Sequence, residues 1–228
     1  MIDFKNSREV ANIIDQTLLQ PTANRDQVQR FCEEAVALGF AAVCVAPCWV
    51  QLAARAIENS EVRLCTVSGF PLGFETVEIK AKAAMTALAA GADEIDYVVN
   101  LGAVKGEEYE FIASEMEAMR RTTENAVVKV ILETGYLNQH EMERLCQMAV
   151  DSGLDFVKTS TGLGPSGASV AEVKLLAEYG QGRIKVKAAG GIRTIQDLEA
   201  MVGAGAQRIG TSAGKEIVAQ ADEIRGKQ

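Results

Sequence analysis

Short apolar runs alternate along this chain with longer segments whose apolar residues recur at helical spacing. Three of the short runs cover 40–45, 62–67 and 126–133, and each is followed by a segment with apolar residues every three or four positions. The short runs predict buried strands and the longer segments predict amphipathic helices. We count eight such strand-then-helix units, preceded by a short helix within about the first ten residues.

Polar residues and glycines mark where the predicted helices begin and end. The pairs that match an N-terminal cap with a partner three residues later are Asn24 and Gln27, Asn138 and Glu141, Ser169 and Glu172, and Thr194 and Asp197. Gly39, Gly91 and Gly153 each follow the last periodic residue of a helix. The helix after Gly73 is predicted to carry Val77, Ala81, Ala84, Met85 and Leu88 on one face.

Strands that alternate with helices predict a parallel sheet with right-handed crossovers. Eight units within 228 residues favour a single-domain α/β fold over residues 1–228, a (β/α)8 TIM barrel with a short N-terminal helix. An open doubly wound sheet is the alternative. It would leave two edge strands and usually carries an early glycine fingerprint, which this sequence lacks.

The composition narrows the class of partner. The formal net charge of -8 argues against nucleic-acid binding, which needs a basic face, but it allows a small anionic ligand at a locally positive site. Five cysteines and one histidine form no complete zinc pattern, so we expect no metal. No apolar run has membrane-spanning length and the first residues lack a signal segment, which predicts a cytoplasmic protein.

Strand alternation places charged residues inside the predicted barrel. The apolar residues of the strands that contain Asp96, Lys129, Lys158 and Lys187 must pack on the helices, so these four side chains point inward. Buried charges are costly unless they are paired or used. A purely structural salt-bridge network is one interpretation, but several lysines near the C-terminal rim, where barrel active sites lie, favour a catalytic one.

Clustered amines are suited to Schiff-base chemistry. A lysine has an ordinary pKa of about 10.4, and a neighbouring positive charge or partial burial promotes loss of its proton. The iminium formed with a carbonyl substrate is an electron sink, so this chemistry requires no cofactor. Asp96 would then shuttle protons. The residues alone leave open whether Lys158 or Lys187 is the nucleophile.

Glycines and hydroxyls follow the last three predicted strands. They are Thr161 and Gly162, Gly190 and Gly191, and Gly210, Thr211 and Ser212. Glycine lets backbone amides approach an anion, and this fold often binds phosphate after its last strands. Together these loops predict a phosphorylated small-molecule substrate.

At these residues the sequence resembles the deoxyribose-phosphate aldolases over nearly its whole length. The segments that carry the resemblance are 15–19, 69–73, 93–96, 129–134, 156–162 and 187–193. The resemblance implies a class I aldolase on a (β/α)8 barrel, which reversibly cleaves 2-deoxy-D-ribose 5-phosphate to D-glyceraldehyde 3-phosphate and acetaldehyde. It also implies a role in deoxynucleoside breakdown and leaves room for a homo-oligomer.

The resemblance assigns a role to each matching residue. Lys158 would form the Schiff base, Lys187 would perturb the pKa of its neighbour, and Asp96 would relay protons. The residues implied to bind the substrate are Asp15, Thr17, Lys129, Thr161, Gly162, Gly190, Gly191, Gly210 and Ser212.

The sequence departs from the family pattern at a few of these segments. Gln16 stands where a histidine is usual, Gln20 where a lysine is usual, and Ala189 where a serine is common. Leu163 replaces a lysine that helps to bind phosphate in some relatives. Two other functions stay open: a Schiff-base aldolase with a different phosphorylated substrate, and a sugar-phosphate-binding barrel without catalysis.

Overall fold

Eight parallel strands form a closed barrel in the computed structural model, which describes residues 2–123 and 125–226. The strands are β1 Ile14–Leu18, β2 Ala42–Val45, β3 Arg63–Ser68, β4 Glu94–Val98, β5 Val127–Ile131, β6 Phe156–Lys158, β7 Lys185–Ala189 and β8 Arg208–Thr211. Each strand pairs with the next, and β1 pairs with β8. The predicted (β/α)8 barrel is confirmed. The predicted domain of 1–228 also includes positions 1, 124, 227 and 228, which lie outside the described residues.

Helices surround the barrel and include the predicted short helix at the start. They are α1 Ser7–Ala11, α2 Arg25–Leu38, α3 Val50–Ala56, α4 Val77–Ala89, α5 Leu101–Lys105, α6 Tyr109–Thr122, α7 Gln139–Asp151, α8 Val170–Gly180, α9 Ile195–Gly203 and α10 Gly214–Gly226. Reciprocal capping boxes are present at all four predicted pairs, which begin with Asn24, Asn138, Ser169 and Thr194. Across residues 2–123 and 125–226, no helix combines the length and the apolar character needed to cross a bilayer.

The two faces of the strands have different surroundings. Val128 and Val130 of β5 belong to the main core, which fills the layer between the strands and the helices. Cys44 of β2 and Cys65 of β3 belong to a smaller apolar cluster and lie close to Asp96. The period-two alternation therefore divides the strands into a dry outer face and an inner face that carries the charges.

The α4 helix differs from its prediction because it buries a lysine. Of the residues predicted to share its apolar face, Ala84 is buried but Met85 is 51% exposed, while Lys80 is fully buried. The Lys80 ammonium donates to Glu115 of α6 at 2.6 Å and to the carbonyl of Val98 at 2.8 Å. Because Glu115 compensates its charge, the Lys80 side chain can be buried in the core. The short helix α5, capped by Asn100, was not predicted.

Candidate active site

Seven charged side chains meet inside the barrel and form what we call the charge cluster. They are Asp15 of β1, Glu94 and Asp96 of β4, Lys129 of β5, Lys158 of β6, Lys187 of β7 and Arg208 of β8. Strand register aligns Asp96 with Lys129, and Lys158 with Lys187. The inward orientation predicted for Asp96 and the three lysines is confirmed, since all four are buried and bonded to one another.

Asp96 lies at the centre of the charge cluster. Its Oδ2 accepts from the Nζ of Lys158 at 2.9 Å and from the Nζ of Lys187 at 2.8 Å. Its Oδ1 accepts from the Nζ of Lys129 at 2.8 Å. Burial raises the pKa of this carboxyl, but the three ammonium groups outweigh burial and hold the pKa of Asp96 well below its ordinary value. Asp96 is therefore a carboxylate at neutral pH.

Two of the lysines are held in their charged form. Burial opposes the charge on Lys187, but Asp15 and Asp96 outweigh it and raise the pKa of Lys187 above its ordinary value. Lys129 is also buried, yet Asp96, Asp15 and Glu94 raise the pKa of Lys129 well above its ordinary value. Both side chains therefore act as fixed positive charges at neutral pH.

Lys158 differs from these two lysines in its contacts and its access. Asp96 is the only carboxylate within 4.0 Å of its Nζ among the residues that the structure describes. Lys158 also contributes to the wall of the cavity above the charge cluster, whereas Lys129 and Lys187 do not. A molecule in the cavity can therefore contact Lys158 but not Lys129 or Lys187.

Arg208 completes the charge cluster and was missed in the sequence. Its Nη1 donates to Oδ1 of Asp15 at 2.5 Å, and its Nη2 lies 3.5 Å from Oε1 of Glu94. The guanidinium also lies over the ring of Phe156, 5.8 Å from the centroid. Arg208 pairs in register with Lys187, which puts the two side chains on the same strand face. The signal available in the sequence was the alternation of side chains along the last strand.

A cavity of about 650 Å³ opens at the C-terminal rim of the barrel above the charge cluster. Eight of the twelve predicted site residues line it: Thr17, Lys158, Thr161, Gly162, Gly190, Gly191, Gly210 and Ser212. The other four, Asp15, Asp96, Lys129 and Lys187, are buried below and do not line it. The predicted residues thus form two layers, with Lys158 joining the cavity wall to the charges beneath.

The glycines at the rim are needed for two different structural reasons. Gly162, Gly190 and Gly191 have φ angles of 84°, 92° and 81°, a left-handed backbone that other residues rarely adopt. Gly210 is needed because the space is tight: a Cβ there would lie 3.0 Å from Cε of Lys187. Gly210 therefore leaves room for the Lys187 side chain as well as bordering the cavity.

Thr161 lines the cavity, but its polar groups are already engaged. Its amide lies 3.2 Å from both carboxylate oxygens of Glu133, and its hydroxyl donates to the same carboxylate. The hydroxyl also accepts from the amide of Leu163 at 3.0 Å. Thr161 therefore shapes the loop after β6, and Glu133, a buried residue with a φ of 54°, anchors it. Sequence reasoning gave Glu133 no role.

Gln16 connects the first strand of the barrel to the loop after the last strand, at the cavity. Its Oε1 accepts from the amide of Gly214 at 3.0 Å, and its Nε2 donates to the carbonyl of Ser212 at 3.4 Å. The side chain is buried and borders the cavity. Gln16 therefore holds the loop after β8 against β1, which fixes the position of Ser212.

Two sets of potential metal donors lie within the charge cluster. Cys44, Cys65 and Asp96 have donor atoms within 4.8 Å of one another, and so do Asp15, Cys65 and Glu94. The same carboxylates already accept from lysine and arginine side chains, and burial raises the pKa of Cys65 well above its ordinary value. These donors suit ammonium groups better than a divalent cation.

Comparison with known proteins identifies close relatives of this chain. A family model described as DeoC/LacD family aldolase matches residues 10–220. A deoxyribose-phosphate aldolase from Thermoanaerobacter is 44% identical over 219 residues, covering 95% of this chain and 98% of the relative. One from Thermus thermophilus is 46% identical over 211 residues, covering 92% and 96%. The tetrameric deoxyribose-phosphate aldolase from Aeropyrum pernix superimposes with a TM-score of 0.90 at 34% identity, covering 96% and 93%.

Proposed function

Because this chain belongs to the DeoC/LacD family of aldolases, we propose that Lys158 is the amine that forms a Schiff base with its substrate. Its activity is that of the deoxyribose-phosphate aldolases, carbon–carbon lyases that reversibly cleave 2-deoxy-D-ribose 5-phosphate to D-glyceraldehyde 3-phosphate and acetaldehyde. The assignment rests on which lysine is accessible from the cavity. Lys158 lines the cavity, while Lys129 and Lys187 are buried beneath it among carboxylates.

The chemistry follows from an amine beside a carboxylate. The Lys158 amine adds to the aldehyde carbon of the open-chain sugar, and loss of water leaves an iminium. A proton then leaves the hydroxyl on the third carbon, the bond between the second and third carbons breaks, and the iminium accepts the electron pair. Protonation of the resulting enamine and hydrolysis release acetaldehyde. Asp96, 2.9 Å from the Lys158 Nζ and 2.8 Å from the Lys187 Nζ, carries protons in these steps.

In this proposal the phosphate binds where the loops after β6, β7 and β8 line the cavity. Gly162, Gly190, Gly191 and Ser212 border it, so their backbone can approach an anion. Arg193 also lines the cavity and adds a positive charge, whereas the Lys215 ammonium is paired with Glu34 at 2.6 Å. Leu163, which is 67% exposed, offers no charge where some relatives have a lysine. Asp15 and Lys129 act from below, through the charge cluster.

Trapping with acetaldehyde and borohydride tests the assignment of Lys158. Reduction of the Schiff base fixes an ethyl group on the reacting lysine, which peptide mapping by mass spectrometry locates. We expect the group on Lys158 and none on Lys158→Met protein treated in the same way. An adduct on Lys187 would exchange the two roles. Folded protein without any adduct and without cleavage of the sugar phosphate would instead indicate a binding barrel.

Replacing Gln16 tests whether the loop after β8 binds the phosphate. Gln16→Leu removes both hydrogen bonds to the loop and leaves the Gly214 amide without its partner. We expect KM for the sugar phosphate to rise about tenfold, the effect of about one lost buried hydrogen bond, with a smaller change in kcat. Gln16→Glu, which can still accept from Gly214, is the matched control. Trapping with acetaldehyde, which has no phosphate, should be unchanged in both variants.

We further propose that the chain forms a homo-oligomer, as the tetrameric relative from Aeropyrum pernix does. Four apolar side chains are about half exposed or more in and before α4: Leu72, Phe74, Ile79 and Met85. Such a patch is suited to a protein interface. A finding of only monomer by sedimentation equilibrium would overturn the proposal.

A cytoplasmic location stays a prediction.

A further inference from the structure

A buried lysine outside the charge cluster packs against a loop that borders the cavity. Lys80 of α4 is fully buried, and loop 69–73, which follows β3, lies against its side chain. A Cβ built on Gly69 would lie 2.8 Å from Cε and 3.1 Å from Cδ of Lys80. The hydroxyl of Ser68, the last residue of β3, donates to the carbonyl of Lys80 at 2.9 Å. The side chain and the backbone of Lys80 therefore both contact the start of this loop.

The ammonium group of Lys80 is held in place. Its hydrogen bonds to Glu115 and to the Val98 carbonyl tie α4 to α6 and to the end of β4. Glu115 is fully buried as well, and its Oε1 accepts from the amide of Asn100 at 3.2 Å. A lysine stem is flexible when its head is free, but one that is fixed at both ends has few rotamers left. The stem of Lys80 is therefore a rigid support for Gly69.

Two glycines let the loop lie close to this support. Gly69 has a φ of 61° and Gly73 a φ of 72°, a left-handed backbone that favours glycine. The amide of Gly73 donates to the carbonyl of Gly69 at 2.8 Å, which closes the loop. A Cβ on Gly73 would collide with the carbonyl oxygen of Val99, directly after β4. The loop is thus fitted between Lys80 and the end of β4.

This loop places Phe70 in the wall of the cavity. Phe70 borders the cavity, and it also packs on the apolar cluster that contains Cys44 and Cys65. In the closed ring of eight strands β3 and β7 are four strands apart, so the loop after β3 faces the glycine loop after β7 across the cavity. A sugar phosphate that reaches from Lys158 to the loops after β6, β7 and β8 would have Phe70 on its other side.

We propose that Lys80 is a positioning residue for the aldolase reaction: by supporting Gly69 it fixes Phe70 in the cavity wall, and so sets how tightly the sugar phosphate is held. The inference rests on the proposed function, with Lys158 as the nucleophile and the phosphate at the loops after β6, β7 and β8. Lys80 itself does not line the cavity. A buried ion pair adds little stability over apolar side chains of similar volume, so stability alone does not account for the pair.

The first test removes the anchor and keeps the volume. Lys80→Met loses both hydrogen bonds of the ammonium, which frees the end of the stem, and Glu115→Gln added to it removes the carboxylate left without a partner. In the double variant we expect Tm to recover most of what Lys80→Met loses. KM for 2-deoxy-D-ribose 5-phosphate should stay about tenfold above wild type with a smaller change in kcat, because an apolar contact in the pocket is weakened. A merely structural role would return KM to the wild-type value together with Tm.

Gly69→Ala tests the same contact from the side of the loop. Next to the anchored Lys80 the new Cβ meets a chain end that cannot yield, so the loop must move and KM should rise about tenfold. In the Lys80→Met, Glu115→Gln protein the chain end can yield, and Gly69→Ala should raise KM by about threefold or less. The cost of alanine at a positive φ is present in both backgrounds and cancels in this comparison.

Two matched controls accompany these variants. Gly182→Ala places alanine at a φ of 73°, and apart from its chain neighbours no heavy atom of the described residues lies within 4 Å of the added Cβ. Lys105→Met removes a lysine that is 48% exposed and paired with Glu141 at 2.7 Å. Neither residue lines the cavity, so both variants should keep the wild-type KM.

The outcomes separate this inference from the function on which it rests. If wild-type protein gives no acetaldehyde adduct on Lys158, the proposed function fails. If wild-type Lys158 is trapped but the double variant has the wild-type KM, or Gly69→Ala has the same effect in both backgrounds, Lys80 has no positioning role. If neither Lys80 variant folds, Gly69→Ala decides: a wild-type KM would overturn the inference, and a raised KM with Gly182→Ala unchanged would support it.

Discussion

Lys158→Ala is expected to abolish turnover while the protein stays folded. The substitution removes the one lysine of the charge cluster that lines the cavity, so no lysine next to Asp96 remains within reach of the substrate. Loss of a covalent nucleophile lowers kcat on the order of 10⁴-fold or more. The measurement is the rate of aldehyde release from the sugar phosphate under saturating conditions.

The fold should tolerate this change because the Lys158 side chain has one polar contact. Asp96 loses one of its three ammonium partners and keeps Lys129 and Lys187. We therefore expect Tm to stay within a few degrees of wild type, as it does for changes below about 1 kcal/mol. Lys174→Ala, on the surface of α8, is the matched control for the loss of a lysine. Turnover above a tenth of the wild-type rate would rule out Lys158 as the nucleophile.

Lys187→Ala is expected to lower both the rate and the stability. Lys187 bridges Asp15 and Asp96, which are fully buried, and its removal leaves each carboxylate with one ammonium fewer. Breaking a buried ion pair by removing one partner costs about 3–5 kcal/mol. The rate should fall by roughly 10²–10⁴-fold, the usual effect of a group that assists proton transfer.

The pH of the measurement matters for the stability of this variant. The folded-state pKa of Lys187 is raised, so its contribution is complete at neutral pH and disappears only as the pH rises through that value. The pKa of Asp96 is depressed, so its contribution disappears as the pH falls through the acidic range. Denaturant unfolding near pH 7 therefore measures the full loss.

A matched double variant separates charge from packing. Lys187→Met together with Asp15→Asn removes one charge of each sign and should recover part of the stability that Lys187→Met loses. A Lys187→Ala protein as stable as wild type would contradict the bridging role seen in the structure. Wild-type turnover in that protein would remove Lys187 from the mechanism.

Strand alternation was sufficient to predict the inner charges. A period of two fixes which side chains share a face, so Lys129, Lys158 and Lys187 could be oriented from their apolar neighbours alone. Parallel pairing then brings them to one end of one barrel. The same rule would have reached Arg208, but its strand has four residues and its apolar alternation is short.

Other parts of the site depend on contacts that no local pattern encodes. The bond between Glu133 and Thr161 requires a left-handed backbone at a residue other than glycine, which sequence rarely signals. The buried Lys80 depends on Glu115, 35 residues away and in another helix. Gln16 could be recognised as a departure from the family, but its contact with Gly214 spans 198 residues. These features are tertiary, and they appear only with the fold.

The bond between Asp15 and Arg208 also bears on when the enzyme becomes reactive during synthesis. These residues lie 193 positions apart, on the two strands that close the barrel. On the ribosome, β8 emerges last, and the charges that surround Lys158 can assemble only after it has paired with β1. A nascent chain therefore lacks the arrangement in which Asp96 contacts Lys158 at the cavity. Free aldehydes in the cell would then meet a reactive amine only in the finished barrel.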